Sequence, residues 1–140
     1  MKELKFDAKV EELDAVLAFL DTELESLDCP MKVQTELDLA VEELFVNIAN
    51  YAYGDKTGYA LMKFAELENA RGVSITFVDE GMQYNPLERP DPDITLPAEQ
   101  RPVGGLGIFL VKKIADEVNY NYSDGKNIFN FIKKFYDLKI

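Results

Sequence analysis

The order in which apolar periodicities follow one another leaves few folds open to this chain of 140 residues. Leu4 and Phe6 alternate with charged residues in a short opening strand. From about Lys9 to Leu27, Val10, Leu13, Leu17, Leu20, Leu24 and Leu27 recur at helical spacing, and the other face is rich in Asp and Glu. Asp28-Cys29-Pro30 breaks that helix, and a second is predicted from about Lys32 to Ala52, ending before Gly54. Tyr59–Ala65 reads as a strand and Glu68–Gly72 as a turn. Val73–Val78 then alternates, with Val73, Ile75 and Phe77 on one face, and stops at Asp79. After Gly104–Gly107 a third helix is predicted to about Glu117. Two strands follow, Val118–Tyr122 and Asn127–Phe135, around a turn whose Asp124-Gly125 pair suits positive backbone dihedrals. This succession predicts an α+β two-layer sandwich, a mixed, mostly antiparallel sheet with helices on one face.

Between the halves, Met82–Val103 carries five of the six prolines and little apolar periodicity. A loop of that length inside a compact domain argues against an element assignment unless it is functional or mobile. The rest is ordinary globular composition, with 47% hydrophobic residues and 11% aromatics, and the length fits one domain over residues 1–140. A single cysteine, Cys29, excludes an internal disulfide framework and a multi-cysteine metal site, and fits a cytoplasmic protein. No signal peptide is expected, since Met1–Phe6 leads into a charged helix, and no apolar run approaches the ~18 residues of a membrane span. A net charge of -11 disfavours nucleic acid and anionic membranes as partners. With no histidine in the chain, acid–base chemistry falls to carboxylates, lysine or tyrosine.

Three stretches carry candidate chemistry. In Val41–Gly54 and the turns before it, Val33, Leu37, Ala40, Val41, Leu44, Ile48 and Tyr51 fall in one apolar arc of the second helix. Glu36, Glu43, Asn47 and Asn50 form a stripe along its edge. Such a stripe is either a polar border or a half-shielded ligand edge. In Val78–Pro86, Asp79 closes a strand and Gly81 follows two residues later. That is ordinary turn chemistry, or a carboxylate that accepts from a ligand amine beside a backbone free to approach it. In Arg101–Val118, Gly104, Gly105 and Gly107 open a helix, either as a glycine-rich entry turn or as a phosphate cradle of backbone N–H groups. It is neither a Rossmann fingerprint nor a Walker A loop.

In chain order these are E-x-x-x-N on a helix, D-x-G after a strand, a long Pro-rich loop, and G-G-x-G opening a helix. The constellation resembles the GHKL ATPases, which share the Bergerat fold of gyrase and histidine kinases. Ala40–Tyr53 and Gly104–Val118 are similar to the anti-sigma-factor serine kinases of bacterial partner-switching systems. The resemblance implies Mg²⁺ and ATP as cofactors. It implies Glu43 as general base, Asn47 as magnesium ligand, Asp79 as the acceptor for the adenine amine with Gly81 against the ring, and Gly104, Gly105, Leu106 and Gly107 around the phosphates. Met82–Val103 becomes an ATP lid, with Arg101 a candidate for charge neutralisation. Asn50 could touch phosphate or border the pocket. Glu42 points about 100° away from Glu43, off the stripe.

Two positions depart from the family. Where anti-sigma kinases often have histidine, this chain has Tyr51, either an aromatic contact for adenine or core packing. Where the family often carries threonine in the last strand, the sequence offers Asn127 or Asn130, acting through a water. The implied activity is phosphorylation of a small STAS-type antagonist on serine, by a protein that binds a sigma factor or similar regulator. The resemblance also makes the chain a candidate homodimer. The alternative is a catalytically silent, nucleotide-gated binding regulator.

Overall fold

The computed structural model of the protein describes residues 1–88 and 106–136. Five strands, β1 (Lys2–Asp7), β2 (Tyr59–Glu66), β3 (Gly72–Asp79), β4 (Glu117–Ser123) and β5 (Lys126–Lys134), form one sheet in the order β1-β2-β3-β5-β4. Every neighbouring pair is antiparallel, so the expected mixed character gives way to a fully antiparallel sheet. Helices α1 (Leu13–Ser26), α2 (Met31–Asn47) and α3 (Leu106–Ile114) supply the other layer. The core lies between them. Val16, Leu20 and Leu24 of α1, Leu37, Val41 and Phe45 of α2, and Ile108 and Val111 of α3 pack against Met62, Ile75, Phe77 and Phe131 of the sheet. On the opposite sheet face, Asn130 donates from Nδ2 to Ser74 Oγ (2.8 Å) and Thr76 Oγ1 (3.0 Å).

Helix boundaries differ from expectation for local reasons. Val10–Glu12 forms a 3₁₀ turn in place of the first α turn, with the Glu12 N–H donating to the Lys9 carbonyl. Val10 is therefore 45% exposed instead of joining the buried stripe. The end of α1 is closed by Asp28 in the left-handed region (φ 54°), with the Cys29 N–H on the Leu24 carbonyl and the Asp28 N–H on the Glu25 carbonyl. These paired bonds satisfy the last helical carbonyls. The third helix stops at Ile114, short of Glu117. The Asp116 N–H turns to the Ile132 carbonyl (2.8 Å), and its carboxylate accepts the Lys134 N–H (2.7 Å), drawing the chain into β4. At the β4–β5 turn, Asp124 and Gly125 both have positive φ (54° and 76°), as a tight hairpin requires.

An acidic group joins α1 to α2. Gln34 is buried and donates from Nε2 to Asp21 Oδ1 (3.1 Å) and Glu25 Oε1 (3.4 Å). Asp38 stands beside them, with its Oδ1 buried and unpartnered among the described residues. Burial first, then a hydrogen bond with Asp21 and the charges of Asp21, Glu25 and Glu42, push the Asp38 carboxyl from 3.8 up to about 7. The folded chain holds this proton more tightly than the unfolded chain. Its stabilising contribution is therefore complete below about pH 4, declines as pH rises, and is lost above about pH 7. Replacing Asp38 by Asn removes the titration. Because the group is half open to solvent, urea unfolding at pH 8 is expected to show a gain of only about 1 kcal/mol over wild type, with a flatter decline between pH 4 and 7.

Candidate functional site

A cavity of about 870 Å³ opens between the C-terminal end of α2, the ends of β3 and β5, α3 and residues 82–88. That volume suits a small-molecule ligand. Leu44, Ile48, Phe77, Ile108 and Phe129 give it apolar walls, and Asn47, Asp79, Tyr120 and Asn127 supply polar groups.

The end of α2 determines which of its side chains reach this space. After Asn47 the helix loosens into a π turn over Ile48–Ala52. A π turn advances less per residue than an α turn, and such turns recur at functional sites. A regular 100° projection therefore fails beyond Asn47. Tyr51, projected into the apolar arc, is 60% exposed and lines the cavity, so packing in the core is excluded for it. Asn50 is exposed and does not line the cavity. Asn47 lines the cavity. Glu43, one turn earlier, is half-buried against the first turn of α3, where a Cβ added at Gly107 would overlap its carboxylate. Glu42 belongs instead to the charges around Asp38.

Asp79 ends β3 with its side chain on the helix side of the sheet, 6% exposed. Its Oδ1 accepts from the Gly81 N–H (2.9 Å) and from Asn127 Nδ2 (3.0 Å). Its Oδ2 accepts no hydrogen bond among the described residues. Burial raises the Asp79 pKa, and the hydrogen bonds from Asn127 and Gly81 pull it partly back. The turn behind this aspartate is tied to the π turn: the Met82 N–H donates to the Ala52 carbonyl (2.8 Å). Tyr53 O–H donates to the Tyr59 carbonyl (2.5 Å) and accepts the Glu80 N–H (2.9 Å).

Gly81 does not line the larger cavity. Its constraint lies behind it, where an added Cβ would collide with the Ala52 backbone and stand 2.6 Å from the Ala52 carbonyl carbon. Asn127 bonds directly to Asp79, while Asn130 is on the far face of the sheet. Tyr120 and Tyr84 join the site without having been singled out from the sequence. The register Asp79↔Asn127 and Phe129↔Tyr120 would have pointed to Tyr120, once β5 was placed between β3 and β4. Arg101, Gly104 and Gly105 lie outside the described residues, as does the expected lid beyond Glu88. Leu106 begins α3, so Gly107 is inside the helix and not ahead of it.

Since the Ala52 backbone, unlike a side chain, cannot rotate out of the way, Gly81→Ala is expected to cost about 1–3 kcal/mol in chemical denaturation.

Curated relatives include the serine-protein kinase RsbW of Bacillus thuringiensis, 25% identical over 95 residues that cover 66% of this chain and 59% of the relative. The serine-protein kinase RsbW of Bacillus anthracis is 27% identical over 97 residues, with the same coverage of 66% and 59%. The chain thus spans about 59% of the length of the curated relatives it matches. Among solved structures, the RsbU and RsbW domains of Rv1364c from Mycobacterium tuberculosis share the fold with a TM-score of 0.66. That match has 14% identity and covers 96% of this chain and 32% of the other. The blue-light activated histidine kinase EL346 of Erythrobacter litoralis aligns with a TM-score of 0.55 at 19% identity, over 77% of this chain and 32% of the other. The match to histidine kinase-like ATPase domains runs across residues 6–133, and the chain belongs to that family.

Proposed function

We propose that the chain binds Mg-ATP in this cavity and transfers the γ-phosphoryl group to a serine of a small STAS-type protein, as part of an anti-sigma regulatory system in the cytoplasm. The observation that carries the proposal is the placement of Asp79, Asn47 and Glu43. Asp79 presents at an apolar cavity a carboxylate oxygen that no described residue pairs, and Asn47 lines the same cavity from α2. Glu43 stands one turn back on that helix, about 6 Å along its axis, beside the first turn of α3.

The residues present fit the ligand. Asp79 Oδ2 offers an acceptor to an exocyclic amine, between apolar walls suited to a base. Asn47 offers one hard oxygen, which suits an ion that keeps most of its shell as waters and phosphate oxygens. Among the described residues no group of three or more acidic, cysteine or histidine side chains could form an all-protein cage, so the nucleotide would complete the coordination. When bound, Mg-ATP supplies the phosphoryl group and part of the charge neutralisation, and the protein contributes mainly positioning. Glu43 accepts the proton of the attacking serine hydroxyl. Gly107 leaves the room in which its carboxylate sits. The names of the RsbW relatives support the kinase reading, with the sigma factor and STAS protein as its proposed partners.

The test mixes the purified chain, Mg-ATP labelled at the γ-phosphate, and STAS-domain proteins from the same cell. Wild type is expected to label a serine. Glu43→Gln should lower that rate about 10²-fold or more while keeping ATP affinity within about threefold, by calorimetry. Asp79→Asn should weaken ATP binding by about 10-fold or more, because it sets an amide donor against the base amine. Absence of labelling in wild type, with ATP-dependent partner binding unchanged in Glu43→Gln, would replace the kinase reading with a nucleotide-gated binding regulator.

A further inference from the structure

Asn127 carries a hydrogen-bond pattern that the proposed reaction does not itself require. It is 6% exposed, and all four hydrogen-bonding positions of its amide are used. Nδ2 donates to Asp79 Oδ1 (3.0 Å) and to the Met82 carbonyl (2.9 Å), with the Gly81 carbonyl farther away at 3.4 Å. Oδ1 accepts from the Tyr84 N–H (3.1 Å) and from the Tyr120 O–H (2.5 Å). Only one orientation of the amide satisfies these partners. A flipped amide would set its oxygen against the Asp79 carboxylate and the Met82 carbonyl, and its NH₂ against the Tyr84 N–H. The Tyr120 hydroxyl, one strand away on β4, holds the amide in that orientation.

The consequence falls on Asp79. A carboxylate can rotate about its last side-chain bond and present either oxygen to the cavity. Here two donors on one oxygen, the Gly81 N–H from the turn and Asn127 Nδ2 from β5, come from different elements and remove that freedom. The second oxygen is left as the acceptor available to a ligand. The same amide binds residues 82 and 84 much as a neighbouring strand would, accepting one N–H and donating to one carbonyl. It thereby fixes where the chain leaves the cavity rim.

We propose that Asn127, oriented by Tyr120, is a positioning residue that sets the selectivity of the site for a base bearing an exocyclic amine, by holding Asp79 with one oxygen facing the ligand. The proposal rests on Asp79 as the base-reading group. It adds that the selectivity belongs to the trio Asp79, Asn127 and Tyr120, not to the aspartate alone.

The test compares Mg-ATP with the magnesium complex of purine riboside triphosphate, which has the same phosphates and ring but no 6-amino group. Dissociation constants are measured on the full chain by calorimetry. Wild type is expected to prefer ATP by at least about 10-fold, since an unpaired buried acceptor penalises the analogue. In Asn127→Ala the ratio should fall to about 2 or less, and in Tyr120→Phe by about two- to threefold, with the analogue's own affinity nearly unchanged. A merely structural role would weaken both ligands equally and leave the ratio intact. Wild-type selectivity that persists in both variants would overturn the role given to Asn127 while sparing Asp79. A wild-type ratio near one would overturn the base-reading role of Asp79, and the Asn127 role with it. Should Asn127→Ala fail to fold by circular dichroism, Asn127→Ser and Tyr120→Phe carry the same comparison: a reduced ratio supports the role of Asn127, and an unchanged one overturns it.

Discussion

The candidate site depends first on the register between β3 and β5, which sets Asp79 directly opposite Asn127. Side chains alternate strictly along a strand, so the alternation that turns Val73, Ile75 and Phe77 into the core also turns Asp79 inward. A slip of one residue would carry the apolar set and the polar pair to the open face together. Core packing therefore guards the register, and the register delivers a polar pair to the rim. Full burial of a side chain such as Phe77 stabilises by about 1.5–3 kcal/mol. Burial of Asp79 opposes folding, as its raised pKa shows, and the donors from Asn127 and Gly81 offset part of that cost.

A second lock joins the strand end to the helix end. The π turn ends in Ala52, whose carbonyl takes the Met82 N–H, and Gly81 lies against the Ala52 backbone with no room for a Cβ. Tyr53 reaches across to Tyr59 and Glu80 through one hydroxyl. The two sides of the cavity mouth, one helical and one extended, are thereby held by short-range bonds that no bulkier residue at 81 would permit. The loosening after Asn47 serves the same geometry. It lets Asn47 and Tyr51 both line the cavity, although regular helical spacing would have carried Tyr51 into the core.

Much of the fold was legible in the sequence because its elements are long and strictly periodic. The alternation of Val73–Val78, Leu20 and Leu24 of the α1 stripe and the Asp124-Gly125 turn appear as expected, while Val16 is buried in α1 where Leu17 was expected and Leu17 packs only partly. What was not legible depended on contacts distant in sequence. The 3₁₀ start at Val10, the early end of α3 at Ile114 and the π turn at Ile48 are outcomes that apolar spacing does not encode. The same holds for the site. Glu43, Asn47 and Asp79 stood out by residue type and spacing, and the structure brings Asn47 and Asp79 to one cavity with Glu43 at its side. Asn127 was visible only as an indirect candidate, because its direct bond to Asp79 follows from strand order, which neither residue announces. Gly81 stood out for ligand approach, whereas the constraint the described structure puts on it is the contact with Ala52.

Charge in the cavity is of one sign. Its lining among the described residues holds no lysine or arginine, and Asp79 and Glu88 are acidic. The chain as a whole carries -11. Such a field works against a polyanionic ligand at long range. Apolar walls and one oriented acceptor suit a neutral heterocycle better than phosphate. For a nucleotide, compensation of the phosphates has to come from groups of another type. On the proposed reading, that compensation would come from the backbone N–H groups of the first α3 turn and from a divalent ion at Asn47, since a helix N-terminus and a metal ion carry positive charge without a basic side chain. Glu43, which that reading makes the base, is a carboxylate beside the first turn of α3. On that reading base selection would rest on hydrogen-bond geometry on the β3–β5 side, and phosphate chemistry on charge on the α2–α3 side.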